Sequence, residues 1–360
     1  MSVVIITGSC GLVGSEACTF LAKRGFKVVG IDNNLRKRFF GKEGSTNWVK
    51  KKLKIQINKY EHYNIDIRNL GSLEKIFIKY KKNIKLIIHS AAQPSHDFAK
   101  NNAKIDFEVN ALGTLNLLRL TEKYCRYAPF IHMSTNKVYG DNPNKLKLKE
   151  KKSRWDIDDK LYKNGINENF SIDNCTHSFF GVSKIYSDFI AQEYGKNNKL
   201  NTGIFRAGCI TGPNHSGAKL HGFLSFLVKS CLQEKSYNII GYKGKQVRDN
   251  IHSLDLVNCF WEFYKKPRKG EIYNIGGGTH SNCSIIEAIN IVENITKLKI
   301  KIKYERKNRV GDHIWYVSNL EKFKKDYPKW RQKYNSFKII KELIDSNKNY
   351  FDKSKNNQGQ

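Results

Sequence analysis

Val3-Val4-Ile5-Ile6-Thr7 feeds Gly8-Ser9-Cys10-Gly11-Leu12-Val13-Gly14, and Phe26 to Ile31 feeds Asp32. The first run is apolar and β-branched, as a buried strand is. An amphipathic stretch follows the glycines and stops at Gly25. Strand, glycine turn, helix, strand and acid in this order make the half-unit that holds the ADP part of a dinucleotide. Gly8 lets the chain turn sharply. Gly11 removes a side chain where backbone approaches a pyrophosphate, and Gly14 lets the helix lie close to the sheet. Cys10, Leu12 and Val13 complete the turn, and the helix N-terminus offers N–H groups to phosphate. Asp32 can accept both ribose hydroxyls and would repel a 2′-phosphate, so NAD is expected rather than NADP. The GxxGxxG spacing alone is a weak signal; the flanking strands and the acid give it weight.

Strands and helices continue to alternate beyond this unit. A third strand is expected to end at Tyr63-Asn64-Ile65-Asp66. A fourth runs from Ile84 to His89 into Ser90-Ala91-Ala92-Gln93-Pro94. Helical spacing covers Ile105 to Tyr124, Phe130 to Met133 reads as a fifth strand, Phe180 to Tyr194 as a helix, and Thr202 to Arg206 as a sixth strand. The expectation is an α/β fold, a doubly wound parallel Rossmann sheet with a smaller C-terminal substrate-binding region. The expected division is a dinucleotide-binding domain over 1–205, a mainly substrate-binding region over 206–345 with helices near 253–264 and 284–297, and a fraying polar tail over 346–360. Two segments, Asn33 to about Tyr60 and Asn142 to about Asn174, are longer than such a fold needs, and long segments often cover active sites.

A chain of 360 residues with 39% hydrophobic residues can bury a large core. No apolar run reaches membrane-spanning length, and a strand begins at residue 3, so a cytoplasmic protein is expected. The eight cysteines form no CxxC pair, which points to reduced, mostly buried thiols. The net charge is +31, from 64 Lys plus Arg against 33 acids. The lysines are spread through the chain without a nucleic-acid-binding motif, so a solvated basic surface is preferred to a nucleic-acid footprint; such a surface still steers anionic nucleotides. His215 and His221 lack a third ligand at suitable spacing, and no metal is expected. The tryptophans read as core, with Trp155 the exception that suits base stacking.

Met133-Ser134-Thr135-Asn136-Lys137-Val138-Tyr139-Gly140, and Gly181-Val182-Ser183-Lys184 at a helix start, resemble the extended short-chain dehydrogenase/reductase family. That family includes the nucleotide-sugar epimerases and dehydratases. Arg248-Asp249-Asn250-Ile251-His252, Tyr273-Asn274-Ile275-Gly276-Gly277 and Arg309-Val310-Gly311-Asp312 resemble its later motifs, in the same order. Within the family, Ser134 to Asp141 and Gly244 to Asp249 are most similar to enzymes that epimerise a CDP-sugar at C2.

The resemblance implies an NAD-dependent nucleotide-sugar epimerase; a cofactor regenerated in each cycle is expected to stay tightly bound, and a homo-oligomer is expected. It places Asp32 and Asn33 at the ribose, Asp66 and Ile67 beside the adenine, and Ser90, Ala91 and Ala92 along the cofactor cleft. Asn110 would brace the active-site helix and belong to the cofactor set. Thr135 would hydrogen-bond the reacting sugar oxygen with Asn136 beside it. Lys184 would hold the nicotinamide ribose, and Arg248 and Arg309 would grip the substrate diphosphate. The stretch with His215, Gly217, His221 and Gly222 resembles the nucleotide- and sugar-contacting loop.

One residue departs from the family pattern. The acid/base tyrosine, four places before the lysine, is here Phe180. A phenyl ring has no proton to exchange. Thr135, His177, Tyr139 or a water held by Lys184 are the available substitutes. Dehydratases of the family place an acid pair after the threonine; Asn136 and Lys137 stand here, which disfavours elimination. Three other readings remain: a dehydrogenase or reductase that consumes NAD, a catalytically silent NAD-binding protein, and a basic nucleic-acid binder.

Overall fold

Seven parallel strands carry the molecule: β1 Val3–Thr7, β2 Lys27–Ile31, β3 Tyr60–Tyr63, β4 Ile84–His89, β5 Phe130–Thr135, β6 Thr202–Ala207 and β7 Glu271–Ile275. Their order is β7-β6-β5-β4-β1-β2-β3. The computed structural model describes residues 1–215, 222–306, 308 and 311–356, with side chains to residue 347.

The strands are rich in Val, Ile and Phe because both faces of the sheet are covered. Side chains alternate across it. Val4 and Ile6 join Val28, Ile88, Ile131 and Phe205 on one face, closed by Leu21 and by Leu256 and Phe260. Val3 and Ile5 join Val29, Ile87 and Ile204 on the other, closed by Leu73, Phe77, Leu117 and Ala191. Strand order reverses between β1 and β4, and a ligand crevice opens at the carboxyl ends of strands there.

β1, β2 and β4 lie where expected. β3 ends at Tyr63, before Asn64-Ile65-Asp66, because Asp66 Oδ1 accepts from the backbone N–H of Arg68 at 3.0 Å and turns the chain. The helix expected over 105–124 is three pieces: α-helix Ala103–Phe107, a π-helical turn Glu108–Leu112 and α-helix Gly113–Cys125.

The boundary expected at 205/206 falls inside β6, and the edge strand β7 comes from the second half. The two regions therefore share one sheet. The smaller region has its own core, in which Leu224, Leu227, Ile239, Ile289, Ile340 and Leu343 pack together. The last helix runs from Ser336 to Asn356 and takes in 346–356 of the polar tail expected over 346–360; 357–360 lie outside the described residues. Ile339, Ile340, Leu343 and Ile344 anchor it. The eight cysteines are free and mostly buried. Among the described residues, no helix is long and apolar enough to cross a membrane.

Candidate active site

A cavity of about 1020 Å³ lies along the carboxyl ends of the strands, lined from both regions. That is at the upper end of the range for a drug-sized ligand, so two ligands can share it.

The glycine turn forms one end. Gly8 has φ +67°, and a Cβ there would meet Ala91 N at 2.7 Å. A Cβ on Gly14 would meet Gly8 O at 2.1 Å, so only glycine lets the helix Leu12–Ala22 start this close to β1. No side chain caps that helix and its first turn holds no acid. Its first N–H groups thus keep their capacity for an anion. Asp32 takes one backbone donor on each oxygen, Asn34 N at 2.8 Å and Cys10 N at 3.0 Å. Each oxygen retains a lone pair for a ribose hydroxyl. Burial pushes the Asp32 carboxyl above its ordinary range, with the two N–H groups opposing. These features fit the ADP half of NAD.

Gly8, Gly11, Leu12, Val13, Gly14, Asp32, Asn33, Asp66, Ile67, Ser90, Ala91 and Ala92 all line the cavity. Two residues of the expected cofactor set do not. Cys10 is buried in the core and supplies only its backbone N–H to Asp32. Asn110 sits behind the wall on the π-helical turn, where it accepts from Gln93 N and donates to Ser183 Oγ at 2.9 Å. It braces the helix Phe179–Lys196 from outside the cavity lining. Asp66 lines the cavity with its carboxylate filled: Arg68 N, Nε and Nη2 and Asn33 Nδ2 occupy its acceptor sites. It therefore flanks a ligand without a free oxygen to offer.

Thr135 ends β5, and Lys184 comes one turn into the helix Phe179–Lys196, whose N-cap Ser178 accepts from Gly181 N. Lys184 Nζ donates to Met133 O at 2.7 Å. Burial pulls its ammonium down to about 8, against the nearby Asp188 and Asp106. Asp188 is itself tied to Arg206 by a fully buried ion pair at 2.9 Å and to Ser134 Oγ at 2.5 Å. Phe180 is buried and lines the cavity beside Thr135 and Lys184.

The substitutes for a tyrosine fare differently. Tyr139 is fully buried outside the cavity, and its hydroxyl donates to Asn274 Oδ1 at 2.7 Å. His177 lines the cavity, but its Nε2 lies 3.0 Å from Ile172 O, so that nitrogen must carry the hydrogen. Its Nδ1 is buried without a partner. His96, absent from the sequence reading, also lines the cavity. Its only sequence signal is its place just after the loop that follows β4.

At the opposite end, Arg248 lines the cavity with its fork closed on Asp312, at 2.7 Å to each oxygen, and on His313 O at 2.8 Å. Asn136 lines the cavity as well. Arg309, Gly217 and His221 lie outside the described residues. Of the two long segments, the first contributes Asn33, Leu35, Arg36 and Thr46 to the lining; the second contributes none. The second, with Trp155 in the hairpin Leu148–Glu150/Trp155–Ile157, braces the smaller region through Arg154 to Glu287 and Asn144 to Asp312 O. Trp155 is thus not a stacking platform in the cavity. Among the described residues no three His, Cys, Asp or Glu side chains are grouped to hold a metal.

The chain is 28% identical over 326 residues to CDP-paratose 2-epimerase of Salmonella typhi, covering 89% of this chain and 91% of that protein. It is 30% identical over 278 residues to dTDP-D-glucose 4,6-dehydratase of Dictyostelium discoideum, 76% of this chain and 58% of that one. In fold it is similar to UDP-glucuronic acid 4-epimerase of Bacillus cereus, solved with UDP-glucuronic acid and NAD. That match has TM-score 0.76 at 22% identity and covers 97% and 99% of the two chains. The model of the NAD dependent epimerase/dehydratase family matches residues 4–276, and the chain belongs to that family.

Proposed function

We propose that the protein is a nucleotide-sugar epimerase that works by transient oxidation of a ring hydroxyl, at C2 of a CDP-sugar. One observation carries the reaction type. Thr135 and Lys184 line one cavity with an amide and an amine, Asn136 and Lys137, where elimination calls for an acid pair. The likeness to CDP-paratose 2-epimerase supports the carrier and the carbon.

NAD, when bound, supplies the two-electron acceptor that turns the alcohol into a ketone and gives the electrons back. The glycine turn and Asp32 would hold its ADP half, and Ser90, Ala91 and Ala92 would line its path. The Lys184 ammonium would hold the nicotinamide ribose and lend positive charge to the oxygen that loses its proton. Thr135 Oγ donates to the same sugar oxygen and fixes it in line. Arg248 takes the diphosphate, whose oxygens compete with the Asp312 carboxylate for the guanidinium.

Phe180 favours a second reading, a silent NAD-binding protein, since the family's usual proton carrier is absent. The test is proton NMR of the purified protein with UDP-, CDP-, GDP- and dTDP-sugars. An epimer signal without accumulating NADH supports the proposal; bound NAD without turnover supports the silent reading, and NADH formation a dehydrogenase. Phe107, Val182, Tyr186 and Phe189 form an exposed apolar stripe across neighbouring helices. It suits burial against a second copy of the chain, which sedimentation would report as a dimer.

A further inference from the structure

We propose that His96 carries the proton that the substrate hydroxyl gives up and takes back, the task that the phenyl ring of Phe180 cannot perform. This rests on the epimerase reading. His96 opens the short helix His96–Asn101 and lines the cavity with Thr135 and Lys184. Its ring meets that of Phe180 edge to face, with centroids 4.8 Å apart. The imidazole therefore sits beside the side chain that occupies the place of the family's tyrosine.

Ser178 fixes the imidazole. Its Oγ lies 2.8 Å from His96 Nδ1 and accepts from Gly181 N at 3.1 Å. The oxygen has a second lone pair for an N–H on Nδ1, and with the hydrogen on that nitrogen Nε2 is the basic one. The rival groups lack one requirement or another. His177 has Nε2 committed to a carbonyl and Nδ1 sealed. Tyr139 is outside the cavity, and a threonine hydroxyl does not ionise near neutral pH. An imidazole does, which suits a group that must both take and return a proton.

The step balances. The sugar alcohol breaks its O–H bond, and the proton goes to His96 Nε2. Its C–H hydrogen leaves with the bonding electron pair to oxidised NAD, so the carbon is oxidised to a ketone and the cofactor reduced. After the ketone turns over, the same hydrogen and electron pair return to the opposite face, and His96 returns the proton to oxygen. Several charged groups share the cavity with His96. Asp97 and Lys100 come from its own helix, Lys137 from the turn after β5, Lys184 from the helix behind, and Asp312 and His313 from the late segment. Lys137 Nζ is held by Gly311 O at 2.9 Å and Asp312 by Arg248. Burial pulls His313 far below the ordinary imidazole range, so it stays neutral and does not mimic His96 in a titration.

The test is His96→Gln, which can keep a hydrogen bond to Ser178 but provides no base. On the nucleotide sugar that the wild type turns over, kcat should fall about 10²–10⁴-fold. NAD content and KM should stay within a few-fold, and the acid limb of the wild-type pH–kcat profile should vanish. Ser178→Ala keeps the imidazole and should shift that limb. In the wild type, the ¹⁵N imidazole resonance absent from His96→Gln should titrate and move when nucleotide sugar is added. An active wild type whose His96→Gln variant keeps its rate and acid limb overturns this assignment alone, as does a His96 resonance indifferent to the sugar. A wild type that turns over no nucleotide sugar overturns the epimerase reading and this one with it.

Discussion

At the glycine turn, the groups that would meet phosphate and ribose come from about 30 consecutive residues, Val3 to Asp32, and the helix that follows has no side-chain cap. Around Arg248 the parts come from far apart in sequence, and they are occupied: Asp312, 64 positions away, fills the guanidinium fork. The proton-handling corner is assembled the same way. Ser178 reaches His96 across 82 positions. A cradle built from one local segment is shaped by its own backbone, whereas a corner built from distant segments is held by side-chain contacts that a ligand would have to displace. Substitutions in the two halves should separate cofactor affinity from turnover and substrate affinity.

The largest expected effect is at Lys184. Lys184→Met removes both the donor and the charge beside the reacting oxygen and should abolish turnover, measured by proton NMR of the sugar; an active variant would break the proposed division of roles. Thr135→Val should lower kcat about 10²–10⁴-fold if the hydroxyl serves in proton transfer, with NAD content unchanged. In the cofactor half, Asp32→Ala should weaken NAD by about 1.5–3 kcal/mol, the value of hydrogen bonds to a charged group. Calorimetry showing that the unaltered protein prefers NADP would contradict that role.

Arg248→Ala should raise KM for the nucleotide sugar several-fold and leave NAD affinity nearly unchanged. Equal losses would erase the contrast between the halves. The mildest effect is in pH. Burial lowers the Lys184 ammonium from 10.5 to about 8. The charged form is thus complete well below pH 8 and lost as pH rises through it, and turnover should decline on that alkaline side. An alkaline limb that persists in an active Lys184→Arg variant, whose guanidinium stays charged, would assign it to another group.

The glycine turn, Asp32, β1, β2 and β4 were legible because each is a local pattern: an apolar β-branched run, a sharp turn, an acid at a strand end. Thr135 and Lys184 were legible by family resemblance. The π-helical turn at Glu108–Leu112 was not, since one extra residue per turn barely disturbs helical spacing. The last helix was missed because its apolar residues, Ile339 to Ile344, lie among many lysines. The filling of Asp66 by Arg68 hides in a two-residue spacing common to many turns. The closure of Arg248 on Asp312, and the meeting of His96, Ser178 and Phe180, have no local pattern at all; only the folded chain brings them together.

The account's central claim is epimerisation by oxidation and return, and running the reaction in D₂O tests it most directly. Electrons and hydrogen then leave and rejoin the same carbon without exchanging with solvent. The predicted result is an epimer with no deuterium at the inverted carbon and no net NADH. Deuterium at that carbon, or a product that has lost the elements of water, would contradict it.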